Sequence, residues 1–235
     1  MNVAIIAAAG QGKRLGGGRA KQFLELAGVP VIIHTLEKFE RCVLIQEVIV
    51  ALPAAEAAGF LELAGKYGLR KLARVVPGGA TRAESVWRGL QAVRAATAEV
   101  VAVHDGVRPF VTPEEIERTV LAAQTSGAAI LAAPAVDTIK EVENERVVRT
   151  FERASLRRAL TPQCFHYALL RRAYEQSPEK VACATDDSSL VEALGAKVTI
   201  VEGDARNIKI TRPEDIALGE ILLKQNSGVR IQNPE

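Results

Sequence analysis

The sequence predicts an α/β fold on a mostly parallel sheet, from three observations. Short apolar runs alternate with segments whose apolar residues recur at helical spacing, the pattern of successive βαβ units. The first run, VAIIAAA at 3–9, is apolar throughout, as in a strand buried on both faces. Gly10, Gly79 and Asp105 each directly follow a strand-like run, so they gather on the edge where such sheets bind ligands.

The first strand opens into AAAGQGKRLGGGRAKQF at 7–23, which holds five glycines and four cations and no acid. Glycines let a ligand approach the backbone amides, and amides with Lys13, Arg14, Arg19 and Lys21 suit a polyphosphate. Two familiar phosphate loops are excluded. Leu15 stands where the dinucleotide fingerprint needs glycine, and Lys13 is followed by Arg14 rather than Ser or Thr. By spacing alone a solvated loop with incidental charge stays open.

PVIIHTLEKFERC (30–42) reads as a helix opened by Pro30, and IQEVIVAL (45–52) as a strand. A helix at 54–68 ends in Gly68, and LARVVPGG (72–79) is a strand entering a glycine turn. Thr81 and Glu84 have capping-box spacing ahead of a helix at 82–96, and VVAVHDG (100–106) delivers Asp105 at a strand end. Thr112, Pro113 and Glu115 cap a helix at 113–124, followed by strand AAILAAP (128–134). From 134 to 155 the chain alternates apolar and charged residues around a turn at ENER, as a two-stranded arm does. An isolated hairpin is marginal in water, so a partner subunit could cover it. Helices near 165–176 and 186–195, strands at 197–203 and 207–211, and a last helix after Pro213 follow. The reading is one domain over 1–225, with 226–235 a disordered tail.

Composition narrows the function. Thirty basic against 28 acidic residues leave a net charge of +2, which argues against a globally basic nucleic-acid binder while permitting a local cationic pocket. Cys42, Cys164 and Cys183 form no C-x-x-C pair, which fits a reducing cytoplasm, and no leader or membrane span is expected. Asp105, with Gly106 permitting a tight turn and Arg108 near, suits either a magnesium ion or a simple ion pair. Three histidines are too few for a histidine-rich metal site, and no G-x-S-x-G elbow supports a serine hydrolase. Lys209 in NIKITRPED reads as a cation carried toward the ligand edge or as an exposed strand lysine. Asp186 and Asp187 read as a helix cap or a second metal contact.

Taken in order, AAAGQGKRLGGGRAKQF, GGATRAESV, HDGVRPF, DTIK, LTPQCF, TDDSSLVE and NIKITRPED resemble the 2-C-methyl-D-erythritol 4-phosphate cytidylyltransferases from Ala7 to Asp215. The resemblance implies a Rossmann-like nucleotidyltransferase three-layer sandwich with a protruding β-arm for dimerisation. It implies transfer of the cytidylyl group of CTP to methylerythritol phosphate, with release of pyrophosphate and a requirement for magnesium. It makes Arg14 and Lys21 catalytic, and places Ala8, Ala9, Gly10, Gly79, Ser85, Asp105 and Gly106 on CTP, with Asp105 also on the metal. It places Arg108, Thr138, Arg153, Thr161 and Lys209 on the second substrate, with Thr138 and Arg153 serving a neighbouring subunit of a homodimer. Ala80 departs from the pattern, standing where several members carry an acid. The alternatives are a ribitol 5-phosphate cytidylyltransferase, or a regulatory CTP-binding module without catalysis. The cations at both substrate positions argue against the latter.

Overall fold

The apolar run after Met1 becomes β1 (Val3–Ala7), whose residues Val3 to Ile6 are fully buried. In the computed structural model, which describes residues 1–10, 20–176 and 178–226, β2 (Glu25–Leu26) and β3 (Val29–Pro30) follow as a small hairpin. Next come α1 (Val31–Arg41), β4 (Glu47–Leu52), α2 (Ala57–Lys66), β5 (Leu72–Pro77), α3 (Arg82–Gln91) and β6 (Val100–Asp105). The second half runs α4 (Pro113–Ser126), β7 (Ala128–Pro134), β8 (Lys140–Glu143), β9 (Arg146–Thr150), β10 (Arg157–His166) and α5 (Tyr167–Tyr174). It closes with α6 (Pro178–Cys183), α7 (Asp187–Glu192), β11 (Thr199–Glu202) and α8 (Pro213–Asn226).

Seven strands form one sheet in the order β11-β7-β10-β6-β1-β4-β5. Every pairing is parallel except those of β10, which runs antiparallel to both β6 and β7. Because side chains alternate across a strand, one face receives Ala4 and Ile6 and the other Val3 and Ile5. On the first face these residues pack with Phe39 of α1, Phe60 of α2 and Ile116 and Val120 of α4. On the second they pack with Val86 and Leu90 of α3, Leu170 of α5 and Leu190 of α7. The result is the mostly parallel sheet that the alternation predicts, set between two helical layers as the resemblance implies.

The register places the site. Ala7 lies opposite Asp105 on β6 and Ala51 on β4, and Leu52 lies opposite Pro77 on β5. The segments leaving β1, β5 and β6 therefore emerge together at the carboxyl edge, and the chain departs from β1 to opposite sides on β4 and β6, a topological switch point.

Two local expectations change. Strand β10, absent from the expected pattern, fills the centre of one half of the sheet although it contains Pro162. Its pairing with β7 is irregular between Ala159 and Gln163, so the missing amide of Pro162 falls where the ladder is already broken. The segment 207–211 is not a strand. Ile210 is buried and its amide donates to Val107 O at 2.8 Å, which anchors the segment without sheet pairing. The expected arm contains a real hairpin, β8 with β9, turning through Asn144 and Glu145 at φ 47° and 62°. Arg14 and the expected tail beyond 226 lie outside the described residues.

Helix α3 lies close against β1 because Gly89 faces it: a Cβ there would come within 2.6 Å of Ile5 Cγ2. Alanine would favour the helix by roughly 0.5–1 kcal/mol, but overpacking a β-branched neighbour costs roughly 1–3 kcal/mol. Gly89→Ala is therefore expected to lower the urea midpoint. A higher midpoint would show that the two elements separate freely.

Candidate active site

Small residues build the walls. Ala7 to Gly10, Gly79, Ala80 and Thr81 line a cavity of about 480 Å³ together with Lys21, Gln22, Arg82, Ser85, Asp105, Val107 and Lys209. Close approach is the reason: a Cβ on Gly106 would meet Ala8 Cβ at 2.8 Å, and one on Gly78 would collide with Ala9. The glycine turn is braced from α3. Gly79 N–H donates to Ser85 Oγ at 3.0 Å, Ser85 donates to Thr81 O at 2.9 Å, and Thr81 Oγ1 caps the helix by accepting from Glu84 N–H. Glu84 does not close the capping box on Thr81; its carboxylate accepts at 2.8 Å from the N–H of Ala80, the residue that departs from the family pattern.

Asp105 ends β6 with its side chain only 7% exposed. Arg82 Nε meets its Oδ1 at 2.8 Å, Lys209 Nζ meets Oδ2 at 2.8 Å, and Arg108 Nε stands 3.5 Å from Oδ2. Burial works against the charge, but Arg82, then Lys209 and Arg108, outweigh it and hold the carboxyl well below the usual range. Arg108 is fixed in turn by donating to Asn207 O at 2.8 Å, and Asn207 donates to Thr161 O at 2.9 Å. Beneath the cavity, Thr161 Oγ1 accepts from Asp105 N–H at 3.3 Å and lies 3.0 Å from His104 Nδ1. His104 Nε2 lies 3.2 Å from Arg108 O, and a carbonyl only accepts. The ring therefore carries its proton on Nε2, and Nδ1 accepts from Thr161.

Ala8, Ala9, Gly10, Lys21, Gly79, Ser85, Asp105 and Lys209, all expected from the sequence, line this one cavity. Gly106, Arg108 and Thr161 stand immediately behind it. Lys21 Nζ lies 3.7 Å from the Cβ position of Gly10, so this cation sits over the end of β1. Thr138 and Arg153 are on the arm and do not line the cavity; Arg153 donates to Val136 O at 3.0 Å. Asp186 caps α7 by accepting from Ser189 N–H, as a cap reading predicts. Arg82 was missed, and so was Gln22, whose amide is buried at the cavity with no hydrogen-bond partner among the described residues.

The profile of the 2-C-methyl-D-erythritol 4-phosphate cytidylyltransferase family matches residues 2–225. The chain belongs to that family. Cytidylyltransferases of this name from Bacillus cytotoxicus and Bacillus velezensis are 45% and 44% identical, covering 95% and 96% of this chain and 98% and 97% of their own. The crystal structure of 4-diphosphocytidyl-2C-methyl-D-erythritol synthase from Anaerococcus prevotii matches with a TM-score of 0.84 at 33% identity, over 95% of this chain and 98% of its own. That of the cytidylyltransferase from Thermus thermophilus matches at 0.77 and 38% identity, over 94% and 98%. Nucleotidyltransferase chemistry is thus the frame in which this cavity is read.

Burial pushes His104 down to about 3, against roughly 6.5 in an unfolded chain. Between these values the unfolded chain binds a proton that the folded chain refuses, so stability is full above the unfolded value and falls as the pH falls through the window. The urea midpoint should drop between pH 7.5 and 5, and His104→Gln should flatten that slope. An unaltered slope in the variant would place the titrating group elsewhere.

Proposed function

We propose that this protein transfers the cytidylyl group of CTP to 2-C-methyl-D-erythritol 4-phosphate, giving 4-diphosphocytidyl-2-C-methyl-D-erythritol and pyrophosphate for non-mevalonate isoprenoid biosynthesis. The observation that carries the reading is one cavity whose small-residue wall adjoins three cations, Lys21, Arg82 and Lys209, and a single carboxylate among the described residues. A flat base fits against Ala8, Ala9, Gly10, Gly79 and Ser85, with the turn at Gly106 closing the wall, and a triphosphate fits against Lys21, while Arg82 and Lys209 stand on Asp105. A phosphate oxygen of the second substrate attacks the α-phosphorus as the bond to the β-phosphate breaks. The charge that develops spreads over oxygens, where Lys21 and Arg14 stabilise it, and no covalent enzyme intermediate is required. Lys209 holds the second substrate from this chain, with Arg108 and Thr161 near it behind the cavity wall.

Magnesium is the expected cation. No group of three or more His, Cys, Asp or Glu that could hold a metal occurs among the described residues. A magnesium ion that keeps several waters and binds substrate phosphates needs only one or two carboxylates, and Asp105 is the one at hand. With Arg82 on one oxygen and Lys209 on the other, Asp105 has little charge to offer a lone ion, and would hold the metal only together with triphosphate oxygens. When bound, it neutralises phosphate charge.

The arm supports a homodimer. Every residue of β8 and β9 is exposed, including Val142, Val147 and Val148, and a two-stranded ribbon needs a surface to cover it. In that dimer Thr138 and Arg153 of one copy serve the other's site. The expected compartment is the cytoplasm: Cys42, Cys164 and Cys183 are free thiols, and no helix among the described residues is long and apolar enough to cross a membrane.

Pyrophosphate release with CTP and magnesium, offering methylerythritol 4-phosphate and ribitol 5-phosphate separately, tests the reading. Release with the former alone is expected; release with the latter would overturn the substrate, and CTP binding without release would favour a regulatory module. Lys21→Ala or Arg14→Ala should lower kcat on the order of 10²-fold or more. Mixing inactive Arg153→Ala and Lys209→Ala proteins should restore activity, since a mixed dimer holds one intact site. Failure to complement would place Arg153 outside the neighbour's site.

A further inference from the structure

We propose that Arg82 is a positioning residue of this reaction: it keeps Asp105 paired so that Lys209 can turn to the phosphate of the second substrate, and Asp187 with Tyr174 aims it. The inference rests on the reading above, in which Lys209 meets that phosphate.

Arg82 stands in the first turn of α3 and bridges two carboxylates from distant parts of the chain. Its Nε meets Asp105 Oδ1 and its Nη1 meets Asp187 Oδ2, each at 2.8 Å. Asp187 is fully buried, and its other oxygen accepts from Tyr174 OH at 2.5 Å. Burial and then the charge of Asp187 push the Tyr174 hydroxyl far up, so it remains a donor. Tyr174 is itself fixed by stacking on Trp87 of α3, ring centres 5.9 Å apart and nearly parallel. The backbone of Asp187 is clamped as well. Its N–H and that of Ser188 both donate to Gln163 Oε1, at 3.1 and 3.0 Å, while Gln163 Nε2 donates to Asp186 at 2.7 Å. Arg82 thus reaches Asp105 from an anchor fixed on three sides.

The other two cations on Asp105 differ in freedom. Arg108 is 14% exposed and tied to Asn207, whereas Lys209 is 36% exposed and carries its charge on a flexible stem. Lys209 is the cation able to move to an incoming phosphate. Its departure would leave a buried carboxylate short of a partner, which is costly, unless another cation holds the opposite oxygen. Arg82 is on that oxygen. Without it, Lys209 is retained by Asp105, and the penalty falls on binding of the phosphate substrate rather than on the nucleotide base.

Arg82→Gln alone leaves the buried Asp187 without a countercharge, so the informative protein is the uncharged pair Arg82→Gln with Asp187→Asn. Its KM for methylerythritol phosphate should rise about tenfold or more, the effect of losing a close charge pair, while the KM for CTP changes much less. Tyr174→Phe, remote from the cavity, should raise the same KM by a smaller factor, and should add nothing in the paired background, because members of one network are not additive. Arg82→Lys, which keeps charge but cannot bridge both carboxylates, should fail to restore the KM. Equal rises in both KM values, or a change in melting temperature with both KM values intact, would make Arg82 a structural residue and overturn the proposal. If the unaltered protein releases no pyrophosphate with this substrate, the functional reading fails and the inference falls with it.

Discussion

A carboxylate almost without access to water keeps its charge at the end of β6, and much of the site is arranged around that fact. Asp105 could be protonated more cheaply than buried as an ion, unless cations stand against both of its oxygens. They come from three separate places: the first turn of α3, the turn after β6 and the segment at 207–211. Each must be held by structure of its own. The Thr81 cap fixes the start of α3, Asn207 fixes Arg108, and the Ile210 amide fixes the segment that carries Lys209. His104 and Thr161 then support the Asp105 backbone from below without adding charge, because burial keeps the imidazole neutral.

The same edge has to be small as well as charged. Gly78 against Ala9 and Gly106 against Ala8 bring three strand ends within backbone contact, which no larger side chains would permit. A wall of that kind exposes amides and carbonyls but carries no charge. The cations therefore belong to long side chains that reach in from outside the wall, and their aim depends on second partners such as Asp187 for Arg82.

Signals confined to a few neighbouring residues were legible in the sequence. The apolar run of β1, the Thr112 capping box and the turn at Asn144 all appear where local pattern puts them, because each is decided within a turn or one strand. Strand β10 was not legible, since Pro162 argues against a central strand and the irregular pairing that excuses it is a property of β7 as much as of β10. The alternation in NIKIT is genuine, but it buries Ile210, with Ile208 half-buried beside it, against Leu26, Val31 and Phe110 rather than in a sheet. Arg82 stayed hidden for a different reason. Thr81 and Glu84 explain its neighbourhood as a helix cap, while its partners lie 23 and 105 residues away and leave no mark on the local pattern. Asp187 was read with Asp186 as a cap or metal contact; Asp186 is the cap, and the pairing of Asp187 with Arg82 left no local signal. Thr138 and Arg153 were named through family resemblance alone, and within one chain they do not line the cavity.

Charge placement also divides the work of recognition. The protein as a whole is close to neutral, with 30 cations against 28 acids, so it presents little field at a distance. At physiological salt exposed charges are screened beyond about 8 Å, which confines the attraction to the mouth of the cavity, where three of the four charged lining residues are cations. Such a cluster draws in any polyphosphate and does not tell one nucleotide from another. Discrimination must come from the wall, where a base that leaves a buried amide or carbonyl unpaired loses a hydrogen bond at full desolvation cost. The neutral wall selects and the cations hold, and the two functions can share one cavity because the residues that perform them come from different parts of the chain.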